Sequence, residues 1–168
     1  MTATGTTGGA GDFDFLHGTW SVRHRKLRHR LKGDDAWLTF QGTMAARPIL
    51  AGTGNFDENV VEDPTGAYEA CTIRMFDPAT GRWSIFWIDG RDPCPNPPVV
   101  GAFSNGVGLF LGHDTLDGRP ILVRFEWSRT DGPSPRWEQA FSGDGGISWE
   151  TNWIMEFDRM AGTEKEST

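Results

Sequence analysis

From Pro120 to Ser128 the side chains alternate, with Ile121, Val123, Phe125 and Trp127 on one face and Arg124 and Glu126 on the other, the period of a half-buried β-strand. The same period returns later in the chain. Trp137, Gln139 and Phe141 oppose Arg136 and Glu138, and Trp149, Thr151, Trp153, Met155 and Phe157 oppose Glu150, Asn152, Glu156 and Asp158. Turn sequences separate the runs: Asp63-Pro64-Thr65-Gly66, Asp77-Pro78-Ala79-Thr80-Gly81, Asn105-Gly106 and Asp117-Gly118. With 22 glycines and 10 prolines spread between short apolar runs, the chain is punctuated as an all-β protein. The pattern predicts about ten strands. Apolar on one face and joined by short turns, they close most economically into a single antiparallel up-and-down β-barrel, because closure removes both sheet edges. A sandwich is the alternative.

The first strand is entered through Phe13-Asp14-Phe15-Leu16-His17-Gly18-Thr19-Trp20. Its apolar residues are too few for a stable isolated helix and read as a plug at one end of the barrel, with Gly18 allowing a close backbone turn before Trp20. The strand that follows is predicted over Thr19–Lys32. A bulge near Arg25 would reconcile its even apolar positions, Trp20 and Val22, with the odd Leu27 and Leu31, and would turn His24 and His29 inward. The next strand, Ala36–Ala46, is expected to end at Pro48. Counting strands up and down from the plug gathers the turns near 33, 63, 90, 114 and 143 at the open end. The stiff Asp89–Pro98 loop, with four prolines, lies there too.

Gly18-x-Trp20 with Arg159 at the end of the last strand resembles the calycins, the lipocalin and fatty-acid-binding-protein superfamily. The resemblance implies Arg159 stacked across Trp20 at the closed end. The Phe-rich opening, the Phe76–Trp83 turn and Trp149-Glu150 are more closely similar to a family of small bacterial lipocalin-like domains that open with F-D-F-L-x-G-x-W. That family brings no assigned chemistry. The lipocalin Thr-Asp-Tyr motif is absent, and Lys32–Ala36 is too short for the helical lid of fatty-acid-binding proteins, so neither lipid class is supported as ligand.

A chain of 168 residues has room for one core, here a barrel domain at 12–160. Residues 1–11 and the tail 161–168 lack apolar periodicity and are expected to be mobile. A net charge of -7 argues against a general nucleic-acid binder. No apolar run approaches membrane-spanning length, and Met1–Gly11 lacks the pattern of a signal peptide, which places the chain in the cytoplasm. Cys71 and Cys94 fit free thiols in a reducing compartment, with a Cys71–Cys94 disulfide as the alternative. The positions from Arg23 to Lys32 hold six of the 16 basic residues and no acid. Such a strand either pairs with acidic neighbours or forms an anion-attracting rim or an acidic partner's dock.

Eight tryptophans against one tyrosine dominate the apolar faces. Trp20, Trp83, Trp127 and Trp137 are expected to fill the closed half, and Trp87, Trp149 and Trp153 to line a cavity nearer the open end. The candidate ligand-binding residues are His24, Arg74, Trp87, Gln139, Phe141, Trp149 and Trp153. Arg74 is a buried cation if Thr72, Arg74 and Phe76 point inward; the other register buries Cys71, Ile73 and Met75. The four histidines have no metal-ligand spacing, and no G-x-S-x-G, phosphate loop or H-E-x-x-H occurs. Ser142–Trp149 fits the Asp-box S-x-D-x-G-x-[ST]-W, read as a hairpin device. The expected function is binding of a small hydrophobic or aromatic molecule in the barrel, with no cofactor and with homodimerisation open. The alternatives are a cofactor-independent isomerase or cyclase with His24 as proton carrier and Asp89 or Asp92 beside it, a nitrobindin-like haem protein with His24 as ligand, and a filled barrel that docks a partner through its basic strand.

Overall fold

A computed structural model describes residues 8–92 and 94–161. A 3₁₀ turn, Asp14–Leu16, precedes ten strands: β1 (Gly18–Leu27), β2 (Trp37–Ile49), β3 (Gly54–Val61), β4 (Tyr68–Asp77), β5 (Arg82–Asp89), β6 (Val99–Ser104), β7 (Val107–Leu116), β8 (Arg119–Ser128), β9 (Arg136–Ser142) and β10 (Glu150–Arg159). Each pairs antiparallel with its chain neighbours, and β1 pairs with β10 to close the barrel. The fold is the lipocalin-like up-and-down barrel that the alternation predicts, and the sandwich is excluded by that closure. Expected mobility at 1–7 and 162–168 lies outside the described residues; at 8–11 the chain turns, with the Gly9 N–H donating to Asp12 Oδ2. No described helix is long and apolar enough to cross a membrane.

The closed end is built from the plug. Phe13 and Leu16 are buried; Phe13 packs edge-on against Trp83 and Phe103, with ring centres 4.9 and 5.0 Å away. The Trp20 indole donates to the Leu16 carbonyl at 2.8 Å, so burial of its ring leaves no polar atom unpaired. Arg159 stacks 4.1 Å from the Trp20 ring centre and donates to the carbonyls of His17 and Phe15. The turn is thereby riveted to the last strand.

Three local expectations are corrected. β1 ends at Leu27 and runs in register with β2 and β10 throughout, so no bulge forms near Arg25. Trp20, Val22, His24 and Lys26 share its inner face, while His29 is exposed in the following turn. β2 continues through Pro48 to Ile49, where Pro48 opposes Asn55 close to the strand's end. The bulge lies instead in β10: Thr151 opposes Ala140 but Trp153 opposes Gln139, leaving Asn152 as the extra residue. One inserted residue inverts the inside–outside parity before it.

Candidate functional site

The upper half of the barrel encloses a cavity of about 240 Å³. Trp87 of β5, Phe125 of β8, Trp137 and Gln139 of β9 and Trp153 of β10 form its walls, with Phe141 nearer the mouth. These positions follow from period two, since each stands two or four residues from a buried partner on the same face of its strand. Trp153 meets Trp87 and Trp137 edge-on, with ring centres 5.7 and 5.6 Å away. Gln139 donates to Asn152 Oδ1 at 2.9 Å, which anchors its amide against the bulge. Trp137, expected in the filled half, borders the cavity.

The other predicted residues are placed differently. The β10 bulge puts Trp149 outside the barrel, where Arg124, an outer residue of β8, stacks 4.7 Å from its ring centre. Trp149 therefore does not line the cavity. The Asp-box nearby is a turn device: Asp144 accepts from the hydroxyls of Ser142 and Ser148 and from the Ser148 N–H, holding its carboxyl down at about 2. His24 is buried but stands behind the cavity wall. Its Nδ1 accepts the Trp153 indole N–H at 3.2 Å and its ring stacks on Phe40. A Cβ at Gly42 would come within 2.8 Å of His24 Nε2, so only glycine lets the ring lie against that strand. Burial foremost, and then the charge of Lys26, lower its pKa to about 4 against a smaller opposing pull from Asp63. A neutral imidazole held in this way offers no nitrogen to the cavity, which removes the geometric basis for a haem ligand or a proton carrier there.

Arg74 faces inward with Thr72, which decides the β4 register. It lies below the cavity, where its guanidinium is ion-paired with Asp57 and donates to Asn55 Oδ1 at 2.9 Å; Asn59 donates to Asp57 at 2.6 Å. The inner face of β3, Asn55, Asp57 and Asn59, is thus a polar ladder built around one buried cation. In isolation this alternation resembles a solvent-facing edge. The one signal for it was an inward arginine in need of a carboxylate from an adjacent strand.

At the mouth, the sequence anticipates Asp89, Asp92 and the rim reading of the basic run, whereas it does not assign Tyr68, Arg91 and Asp114 to the site. Lys26, Arg30 and Arg91 line it together with Tyr68, Asp89, Asp92 and Asp114. Each cation lies over an aromatic ring: Lys26 Nζ is 4.6 Å from the Trp153 ring centre, Arg30 5.4 Å from Phe141 and Arg91 3.5 Å from Tyr68. Lys26 also pairs with Asp63 at 3.3 Å. Burial lowers the Lys26 pKa despite that carboxylate, and burial raises the Tyr68 phenol to about 12 against the pull of Arg91. The basic run therefore divides. Arg23 turns outward to Glu156 and Asp158, whereas Lys26 and Arg30 turn to the mouth.

Neither protein-family models nor curated proteins match the chain. Among solved structures, an S-type phycobiliprotein lyase from Guillardia theta is similar, with a TM-score of 0.58 and 9% identity over 90% of this chain and 92% of that one. The likeness is one of fold.

Proposed function

We propose that this barrel binds a small aromatic molecule in its upper cavity. The observation that carries the reading is the apolar chamber walled by Trp87, Trp137, Trp153 and Phe125 beneath a polar mouth, the usual form of a small-molecule site. At about 240 Å³ it lies below the roughly 300–1,000 Å³ of drug-sized pockets. A compact fused-ring body suits it better than an extended chain. That a phycobiliprotein lyase shares the architecture supports small-molecule chemistry in a barrel of this kind. Cys71 and Cys94, both free thiols, support a cytoplasmic setting.

The test is to titrate the protein with 2-naphthamide while following tryptophan fluorescence, beside native mass spectrometry of the freshly purified chain. Wild type is expected to show saturable quenching, which Val123→Trp, filling the cavity from β8, abolishes while a cooperative thermal transition remains. A bare chain mass together with a flat titration overturns the reading.

A further inference from the structure

The mouth cations differ in one respect that bears on what the cavity accepts. Lys26 has Asp63, and Arg91 holds Asp89 through two hydrogen bonds of 3.0 and 2.7 Å. Arg30 has no carboxylate within ion-pair distance among the described residues, although Asp92, Asp114 and Asp117 are nearby in the fold. Those acids are otherwise engaged: Asp92 accepts from the Cys94 N–H, Asp114 from Asn96 and the Thr115 N–H, and Asp117 pairs with Lys32. Arg30 is half-buried, its guanidinium over Phe141, and burial lowers its pKa more than the surrounding acids restore it.

Its position is also imposed. Arg30 lies in the turn after β1, next to Leu31, which has a φ of 55°, a left-handed conformation that a branched residue rarely adopts. The turn is held there by the Leu31 N–H, which donates to Glu150 Oε1 of β10 at 2.8 Å, and by the Leu31 side chain packing on the core. The strained turn places Arg30 at the rim of an aromatic chamber, with its guanidinium over Phe141. A planar fork with no internal acceptor, set beside flat apolar walls, matches a carboxylate attached to a ring.

We propose that the cavity selects aromatic carboxylates, with the ring between Trp87, Trp137 and Trp153 and the carboxylate on Arg30. This rests on the cavity-binding reading above and adds the ligand's charge to it. The experiment compares 2-naphthoate with 2-naphthamide, the same body without the charge, by tryptophan fluorescence on wild type, Arg30→Gln and Arg30→Lys. A charge-assisted hydrogen bond contributes enough to expect a preference for naphthoate of about tenfold or more in wild type. Arg30→Gln should erase that preference, losing far more affinity for naphthoate than for naphthamide, and Arg30→Lys, which retains the charge without the fork, should keep part of it. Equal affinity of wild type for the two compounds, or parallel loss of both in Arg30→Gln, overturns the carboxylate assignment and leaves cavity binding standing. No response of wild type to either compound overturns both.

Discussion

Two arginines present a guanidinium to the barrel interior from different places, Arg74 on the inner wall among acceptors supplied by the adjacent strand and Arg30 in a turn at the mouth, whose acids are engaged elsewhere. The difference separates a structural half from a binding half. Below, the polar ladder of β3 and the aromatic plug fill the barrel down to an inner cavity of about 30 Å³, bordered by Arg74, whose buried Nε has no hydrogen-bond partner. Above, aromatic walls enclose eight times that volume. A buried charge compensated from within holds the fold together; one left uncompensated calls for a partner from outside.

The largest expected effect tests the lower half. Asp57→Ala leaves a buried guanidinium without its carboxylate and should destabilise by about 3–5 kcal/mol, read as a shift in the denaturant midpoint. Replacing both partners, Asp57→Leu with Arg74→Leu, should recover much of that loss. If the single and double variants are equally unstable, the packing of β3 and not its charge is what matters.

The histidine behind the cavity wall is next. His24 has a folded pKa of about 4 against an ordinary 6.5, so the unfolded chain binds a proton that the folded one refuses. Its contribution to stability is complete above about pH 6.5 and is lost as pH falls towards 4, a swing of roughly 3 kcal/mol. His24→Gln, which keeps an acceptor for the Trp153 indole, should flatten the stability profile over that window. An unchanged slope would mean that other groups carry the acid sensitivity.

Arg159→Ala should cost about 1 kcal/mol, since the side chain is exposed but holds two carbonyls of the plug and the Trp20 ring. A thermal melt reads that shift. The smallest effect on stability belongs to Arg30→Gln, within about 0.5 kcal/mol of wild type, because no ion pair is lost. Its large effect is expected on naphthoate binding instead. A marked loss of stability in this variant would make the two arginines alike and erase the distinction between the halves.

The barrel and its closed end were legible from the residues. Alternation in β8 and β9, the Asn105-Gly106 and Asp117-Gly118 turns, and the Phe13–Trp20 opening state a local preference at each point, and the folded chain honours it. Of the candidate site, Trp87, Gln139, Phe141 and Trp153 converge on the cavity, as expected for residues on the inner face of period-two strands. His24 lies inward but behind Trp153, Arg74 lies below, and Trp149 lies outside. Trp149 was misplaced because a single extra residue, Asn152, changes the parity of β10, and a bulge of this kind depends on the register with β9.

The sequence by itself therefore determined the strands, the turns between them and the plug, since backbone preference and side-chain alternation act between residues a few positions apart. The tertiary structure decided which face of β3 turned inward, which side of the β10 bulge Trp149 fell on, and which cation was left without an acid. Asp57 meets Arg74 across 17 positions, and Trp153 meets His24 across 129. The first contact needs the β3–β4 register and the second the β1–β10 pairing that closes the sheet, because register across strands, not order along the chain, sets which side chains come within reach of one another.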